Sequence, residues 1–207
     1  MTSEIYRKAR RHLSRRDARL KQLISTIGPC TLQCNPDGFV ALVRSIVSQQ
    51  ISTKAARAIA GRLQEAIGRS GITPRGILRL SDEMMRAVGL SASKVKSIRD
   101  LAEKVRSKEL LLSALHAMED EEVIAKLIPV RGIGRWTAEM YLIFSLGRLD
   151  VLPVDDLGLR AGVKRLYGLK ELPFKKHISD LAEPWRPYRS IATWYFWRSL
   201  GNVPQSR

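Results

Sequence analysis

The sequence is poor in the residues that staple or metallate small folds. Across 207 residues there are two cysteines, Cys30 and Cys34, and three histidines, His12, His116 and His177. Two thiols cannot complete a structural zinc site unaided, and the histidines stand at no ligand spacing, so neither a zinc fold nor a disulfide framework is expected. No apolar run approaches the ~20 residues that span a bilayer. The N-terminus, Met-Thr-Ser-Glu-Ile-Tyr-Arg, lacks an apolar signal core, so the chain is expected in the cytoplasm, or in the nucleus of a host that has one. Internal repeats, low-complexity linkers and strand-like alternation are missing as well. Acid is also scarce: 20 Asp and Glu stand against 36 Lys and Arg, a net charge of +16.

That imbalance points to a polyanionic partner. Each DNA phosphate neutralised releases condensed counterions, so a basic surface binds nucleic acid without reading its sequence. The basic residues are spread along the chain, with a denser run at Arg7, Lys8, Arg10, Arg11, Arg15 and Arg16. A hydrophobic fraction of 44% supports a sizeable core.

Apolar spacing is helical throughout, so an all-α fold is expected. Tyr6, Leu13, Leu20, Leu23, Ile24 and Ile27 predict one long N-terminal helix ending at Gly28-Pro29. Asn35-Pro36 reads as an N-cap with proline at the first helical position. Phe39 to Val47 gives that helix a broad apolar face, and Ser48-Gln49-Gln50-Ile51-Ser52 interrupts it. Further helices are expected from Ala55 to Ile67, Ser93 to Val105, Asp120 to Leu127, Arg135 to Leu146, about Asp156 to Tyr167, and Tyr188 to Leu200.

Chemistry enters at Ile128-Pro-Val-Arg-Gly-Ile-Gly-Arg-Trp-Thr-Ala138. Pro129 should stop the preceding helix. Gly132 and Gly134 permit a tight turn, and the next helix opens near Arg135 with its N–H groups unpartnered. Glycine amides at a helix N-terminus suit one anionic group, such as a DNA phosphate, and such contacts carry no sequence information. Downstream, Asp155 and Asp156 follow Pro153, where aspartate is a natural helix cap.

The hairpin segment resembles the helix-hairpin-helix signature of base-excision DNA glycosylases. Leu152-Pro-Val-Asp-Asp-Leu-Gly-Leu-Arg160 is similar to the catalytic stretch of the 3-methyladenine DNA glycosylase II, or AlkA-type, family. The likeness runs from the Asn35-Pro36 helix to the C-terminal tryptophans and is strongest over Ile128 to Gly162. It implies a two-lobed helical fold with the active site in the cleft between lobes. A central lobe would span 36–153, with 1–35 and 154–207 forming the other. The family's extra N-terminal β-rich domain is expected to be missing.

The same resemblance assigns roles. Asp156 falls on the catalytic position, and Asp155 remains a capping or structural acid. Gly132, Gly134, Arg135 and Thr137 would hold a DNA phosphate. Carbonyls of Ile128, Val130 and Ile133 would bind sodium or potassium. No catalytic cofactor is implied, and the iron–sulfur cysteines of the endonuclease III-type branch are missing. Gln50 would be the wedge that fills the gap left by a flipped nucleotide, with Gln49 or Ile51 supporting. Trp136 stands where strand-nicking relatives carry a Schiff-base lysine, which implies a monofunctional enzyme. Trp136, Met140, Trp185 and Tyr188 would line the base pocket, with Trp194 a further candidate wall. Met140 and Leu157 replace tyrosines of some relatives. The implied enzyme is a monomer that excises 3-methyladenine and 7-methylguanine from duplex DNA. The alternatives are a glycosylase for another lesion and a non-catalytic DNA-binding module.

Overall fold

The computed structural model describes residues 3–201 and residue 203. Its α-helices are α1 (Ser3–Arg16), α2 (Ala18–Ile27), α3 (Gly38–Ser48), α4 (Thr53–Ile67), α5 (Pro74–Arg79) and α6 (Asp82–Ala87), then α7 (Ala92–Arg106), α8 (Asp120–Leu127), α9 (Arg135–Phe144), α10 (Leu157–Tyr167), α11 (Lys175–Ala182) and α12 (Arg189–Ser199). No strand occurs among the described residues, and no helix is long and apolar enough to cross a membrane.

The chain forms two compact units, one of residues 35–146 and one of residues 1–34 with 147–207. In the first, the apolar face of α3 (Phe39, Leu42, Val43, Ile46) is buried, and α3 packs on α9. The chain enters and leaves this unit at one neck, where Asn35 N–H donates to Phe144 O at 2.7 Å and Ser145 Oγ donates to Asn35 O at 3.1 Å. The cap of α3 differs from the expected one. Asp37, not Asn35, accepts the Val40 N–H, while Asn35 accepts the Asp37 N–H. The two acceptors work in series, and the helix starts two residues later than Pro36 suggests.

The other unit is organised around α12, in which every residue from Ser190 to Trp197 is buried. A helix buried on every side sits in the middle of its neighbours, and α10, α2 and α1 pack against it. The predicted N-terminal helix is broken in two. Asp17 ends α1 and caps α2 by accepting the Leu20 N–H at 2.9 Å, and it also accepts from Trp185 Nε1 at 2.9 Å and from the Tyr167 hydroxyl. One carboxylate thereby ties three elements. Residues 147–153, which the sequence gives to the central lobe, belong to this unit instead. Ser190 Oγ donates to Arg148 O, Ser190 N–H to Leu149 O, and Arg189 Nε to Asp150 at 2.8 Å, fastening the segment to α12. The terminal residues of the predicted outer lobe, 1–2, 202 and 204–207, lie outside the described residues.

Candidate active site

Asp156 precedes α10 as its N-cap. Its Oδ1 accepts the Leu159 N–H at 2.6 Å, and the same oxygen accepts Trp197 Nε1–H at 2.7 Å. The residue is 6% exposed. Helix N-terminus and indole both direct positive partial charge at this carboxylate. The approach of Trp197 requires glycine: a Cβ at Gly158 would lie 2.9 Å from Trp197 Cδ1 and 3.0 Å from Asp156 Oδ1, and one at Gly162 would lie 2.8 Å from Phe196 Cβ. Two glycines four residues apart therefore let α10 and α12 touch backbone to side chain, which sets the carboxylate beside the indole.

Asp155 is not a cap. It is exposed and pairs with Lys175 at 2.6 Å, because Asp156 already occupies the capping position. Trp197 is the functional candidate that sequence reasoning missed. The glycine spacing in Asp156-Leu-Gly-Leu-Arg-Ala-Gly162 is the one signal that a helix packs closely there.

In the central unit the hairpin turns at Gly132, whose φ of 76° lies in the left-handed region. A Cβ there would sit 2.4 Å from Ser97 Oγ, so conformation and space both demand glycine. The Gly132 and Gly134 N–H groups meet no acceptor among the described residues. Asp100 Oδ2 accepts the Arg131 N–H at 2.7 Å. Ser97 and Asp100 lie three apart on one face of α7, which backs the turn.

Lys94, three residues earlier on that face, holds the segment between α3 and α4. Its Nζ donates to Val47 O at 2.7 Å and Gln49 O at 2.8 Å, carbonyls at a helix C-terminus where a cation is favoured. Burial lowers the lysine's pKa from its ordinary value. Gln49 reaches the hairpin: its Nε2 donates to Gly132 O at 2.9 Å and to Thr137 Oγ1 at 3.2 Å. Gln50 is exposed and takes a φ of 58°. Non-glycine residues adopt that region at a cost, and such residues cluster at functional sites. Ile51 is 37% exposed.

Other predicted site residues are placed differently. Thr137 is 2% exposed, and its hydroxyl is occupied by Gln49 rather than open to a phosphate. Arg135 is ion-paired with Glu121 and lies 3.2 Å from Glu139. Trp185 and Met140 are fully buried and offer no surface to a base, Trp185 being fixed by Asp17. Tyr188 is half-buried and meets the His12 ring edge-on at 5.4 Å. Trp194 is 3% exposed against Tyr195. Trp136 is half-buried at the second position of α9. Burial pushes the Cys30 thiol up to about 12, in keeping with an inert core cysteine.

Residues 43–187 match the profile of the HhH-GPD superfamily of base excision DNA repair proteins. Two Schizosaccharomyces pombe proteins are similar over 93% of this chain. One, named alkylbase DNA glycosidase-like protein mag2, is 35% identical and is itself covered over 93% of its length. The other, named DNA-3-methyladenine glycosylase 1, is 38% identical and is covered over 86%. The solved structure of S. pombe 3-methyladenine DNA glycosylase (Mag1) in complex with abasic DNA superposes with a TM-score of 0.82 at 35% identity, covering 97% of this chain and 100% of that one.

Proposed function

The chain belongs to the HhH-GPD superfamily of base excision DNA repair proteins, and from that premise we propose that it is a monofunctional DNA glycosylase hydrolysing the N-glycosidic bond of alkylated purines in double-stranded DNA. Its substrates are 3-methyladenine and 7-methylguanine. The observation that carries this is Asp156, an almost buried carboxylate held through one oxygen by a helix N-terminus and an indole N–H.

Breaking an N-glycosidic bond builds positive charge on the sugar as the base leaves. A fixed carboxylate beside C1′ stabilises that oxocarbenium-like state and orients the attacking water. Alkylation at N3 or N7 makes the purine cationic, so it departs as a neutral molecule and needs no strong general acid. One aspartate without a partner acid suits such substrates. The half-buried Trp136 offers an aromatic face that attracts a cationic base. It also stands where Schiff-base chemistry would need a lysine, which supports base release without strand cleavage.

A stacked base is out of reach, so the nucleotide must leave the helix. Gln50, exposed at the tip of its loop, fills the vacated space, and Gln49 anchors that loop to the hairpin. The open Gly132 and Gly134 amides grip a phosphate nearby in the strand. The Ile128 and Ile133 carbonyls accept no hydrogen bond among the described residues, and Val130 O accepts only from Ile133 N at 3.0 Å. That donor set fits a sodium or potassium ion, which would add positive charge to the phosphate grip. The enzyme acts as a monomer.

Capping alone would also explain an aspartate at this position, which favours a second reading, a non-catalytic DNA-binding module. Asp156→Asn separates the two, because asparagine caps as well as aspartate does. For the enzyme, purine release from methylated duplex falls by about 100-fold or more, with thermal midpoint and duplex affinity kept. Unchanged release eliminates the assignment. Chromatography of bases freed from methylated DNA tests the activity itself, and the absence of free purine at any enzyme concentration refutes it. Strand breaks formed without alkali contradict the monofunctional claim.

A further inference from the structure

The segment between α10 and α11 carries an aromatic ring that the fold does not use. Phe174 is 81% exposed. It sits at the N-cap of α11 and provides no side-chain cap, where Ser, Thr, Asp or Asn would accept a backbone N–H and stabilise the helix. The ring therefore gains neither burial nor a capping bond at a position that rewards a small polar residue.

Its location is fixed from both sides. Arg160 Nε donates to the Pro173 carbonyl at 3.1 Å, and Lys175 Nζ lies 2.6 Å from Asp155 Oδ1. Arg160 is on the first turn of α10 and Asp155 is the neighbour of Asp156. Phe174, between Pro173 and Lys175, is thus tied beside the start of the helix that Asp156 caps. Leu157, the residue after Asp156, is 67% exposed, and Leu172 is 41% exposed. Lys170 and Lys176 are exposed on the same segment. Lys176 is 3.1 Å from Asp180 in a fully solvated pair, which a phosphate can displace at little cost.

An exposed aromatic interleaved with lysines is the pattern that recognises unstacked nucleic acid: rings stack on base faces and cations take phosphates. We propose that Phe174 packs on DNA beside the nucleotide presented to Asp156, with Lys170 and Lys176 on the adjoining phosphates. The α10–α11 segment is then a second DNA-contacting element, additional to the hairpin. This rests on the glycosylase reading above.

Phe174→Ser is the informative variant, because serine improves the cap. Its thermal midpoint stays level or rises, by up to about 2–4 °C. Its Kd for duplex containing a tetrahydrofuran abasic analogue weakens by about fivefold or more. KM for base release rises in step while kcat stays within about twofold, since Asp156 and Trp197 are untouched. Phe174→Tyr keeps the ring and keeps wild-type affinity. A folded Phe174→Ser protein with unchanged Kd and KM overturns the proposal and leaves the glycosylase reading standing. A wild-type protein that binds duplex but releases no purine sinks that reading, and the affinity comparison still decides the role of Phe174. A Phe174→Ser protein that loses a dimer seen by sedimentation, with its DNA affinity intact, assigns the ring to a contact between copies and also overturns the proposal.

Discussion

At residue scale, the pairing of Asp156 with Trp197 separates charge from orientation. Trp197→Phe replaces the buried indole with a smaller phenyl ring and removes the Nε1–H that reaches Oδ1. The carboxylate stays capped by the Leu159 N–H but gains freedom to turn. Single-turnover base release is expected to fall about tenfold, well short of the loss from Asp156→Asn, with DNA affinity unchanged; equal losses in the two variants would contradict this division of labour. Asp156 was singled out in the sequence on two grounds, helix capping and family resemblance, and one of its oxygens both caps α10 and meets the indole. Trp197 was not legible. The C-terminal segment holds several indoles at similar spacing, and which one meets the carboxylate depends on how α12 is rotated. Trp185, one of the candidate pocket walls named from sequence, turns to Asp17 instead, a partner 168 residues away that no local pattern announces.

At element scale, three residues of α7 spaced by three, Lys94, Ser97 and Asp100, hold two loops at once. Helical periodicity made α7 legible, and the interruption at Ser48-Gln49-Gln50-Ile51-Ser52 marked the loop between α3 and α4. The joint between loop and hairpin was not visible, because Gln49 and Gly132 are 83 residues apart. Gln49→Leu keeps the bulk of that side chain and deletes both donors. Loss of two such bonds costs about 1–2 kcal/mol of stability and frees the loop that carries Gln50. Stopped-flow fluorescence of 2-aminopurine beside the lesion should show slower nucleotide flipping, by about fivefold, with little change in affinity for DNA that is already abasic. Equal flipping rates would show that the loop needs no anchor. The break between α1 and α2 also escaped sequence reasoning. Leu13 and Leu20 keep a helical interval across Asp17, so apolar periodicity runs straight through a cap.

At the scale of the whole molecule, the charge of +16 gave the polyanion preference but not its place. Part of it is concentrated on α1, where Lys8, Arg11, His12, Arg15 and Arg16 line an open hollow of about 410 Å³. Binding to undamaged duplex is expected to be strongly salt-dependent, with log K against log salt falling at a slope steeper than about −3, the mark of more than about three phosphates neutralised. Fluorescence anisotropy across a salt series measures it, and a flat line would remove the electrostatic basis of binding. Helix content and the approximate extent of the central unit were legible from periodicity and resemblance. The exit of that unit at Gly147 was not, because it is set by Ser190 and Arg189 of α12.

The neck at Asn35 and Ser145 has a consequence for biosynthesis. The inserted unit emerges whole from the ribosome while α12, which carries Trp197, has yet to be translated. Domains generally fold as they appear, so the nascent polypeptide can form its hairpin and the Gln49-anchored loop well before Asp156 has an indole to orient it. A ribosome stalled after Leu146 would display the hairpin-bearing unit alone, and on the proposed reading it would lack the carboxylate needed for base release.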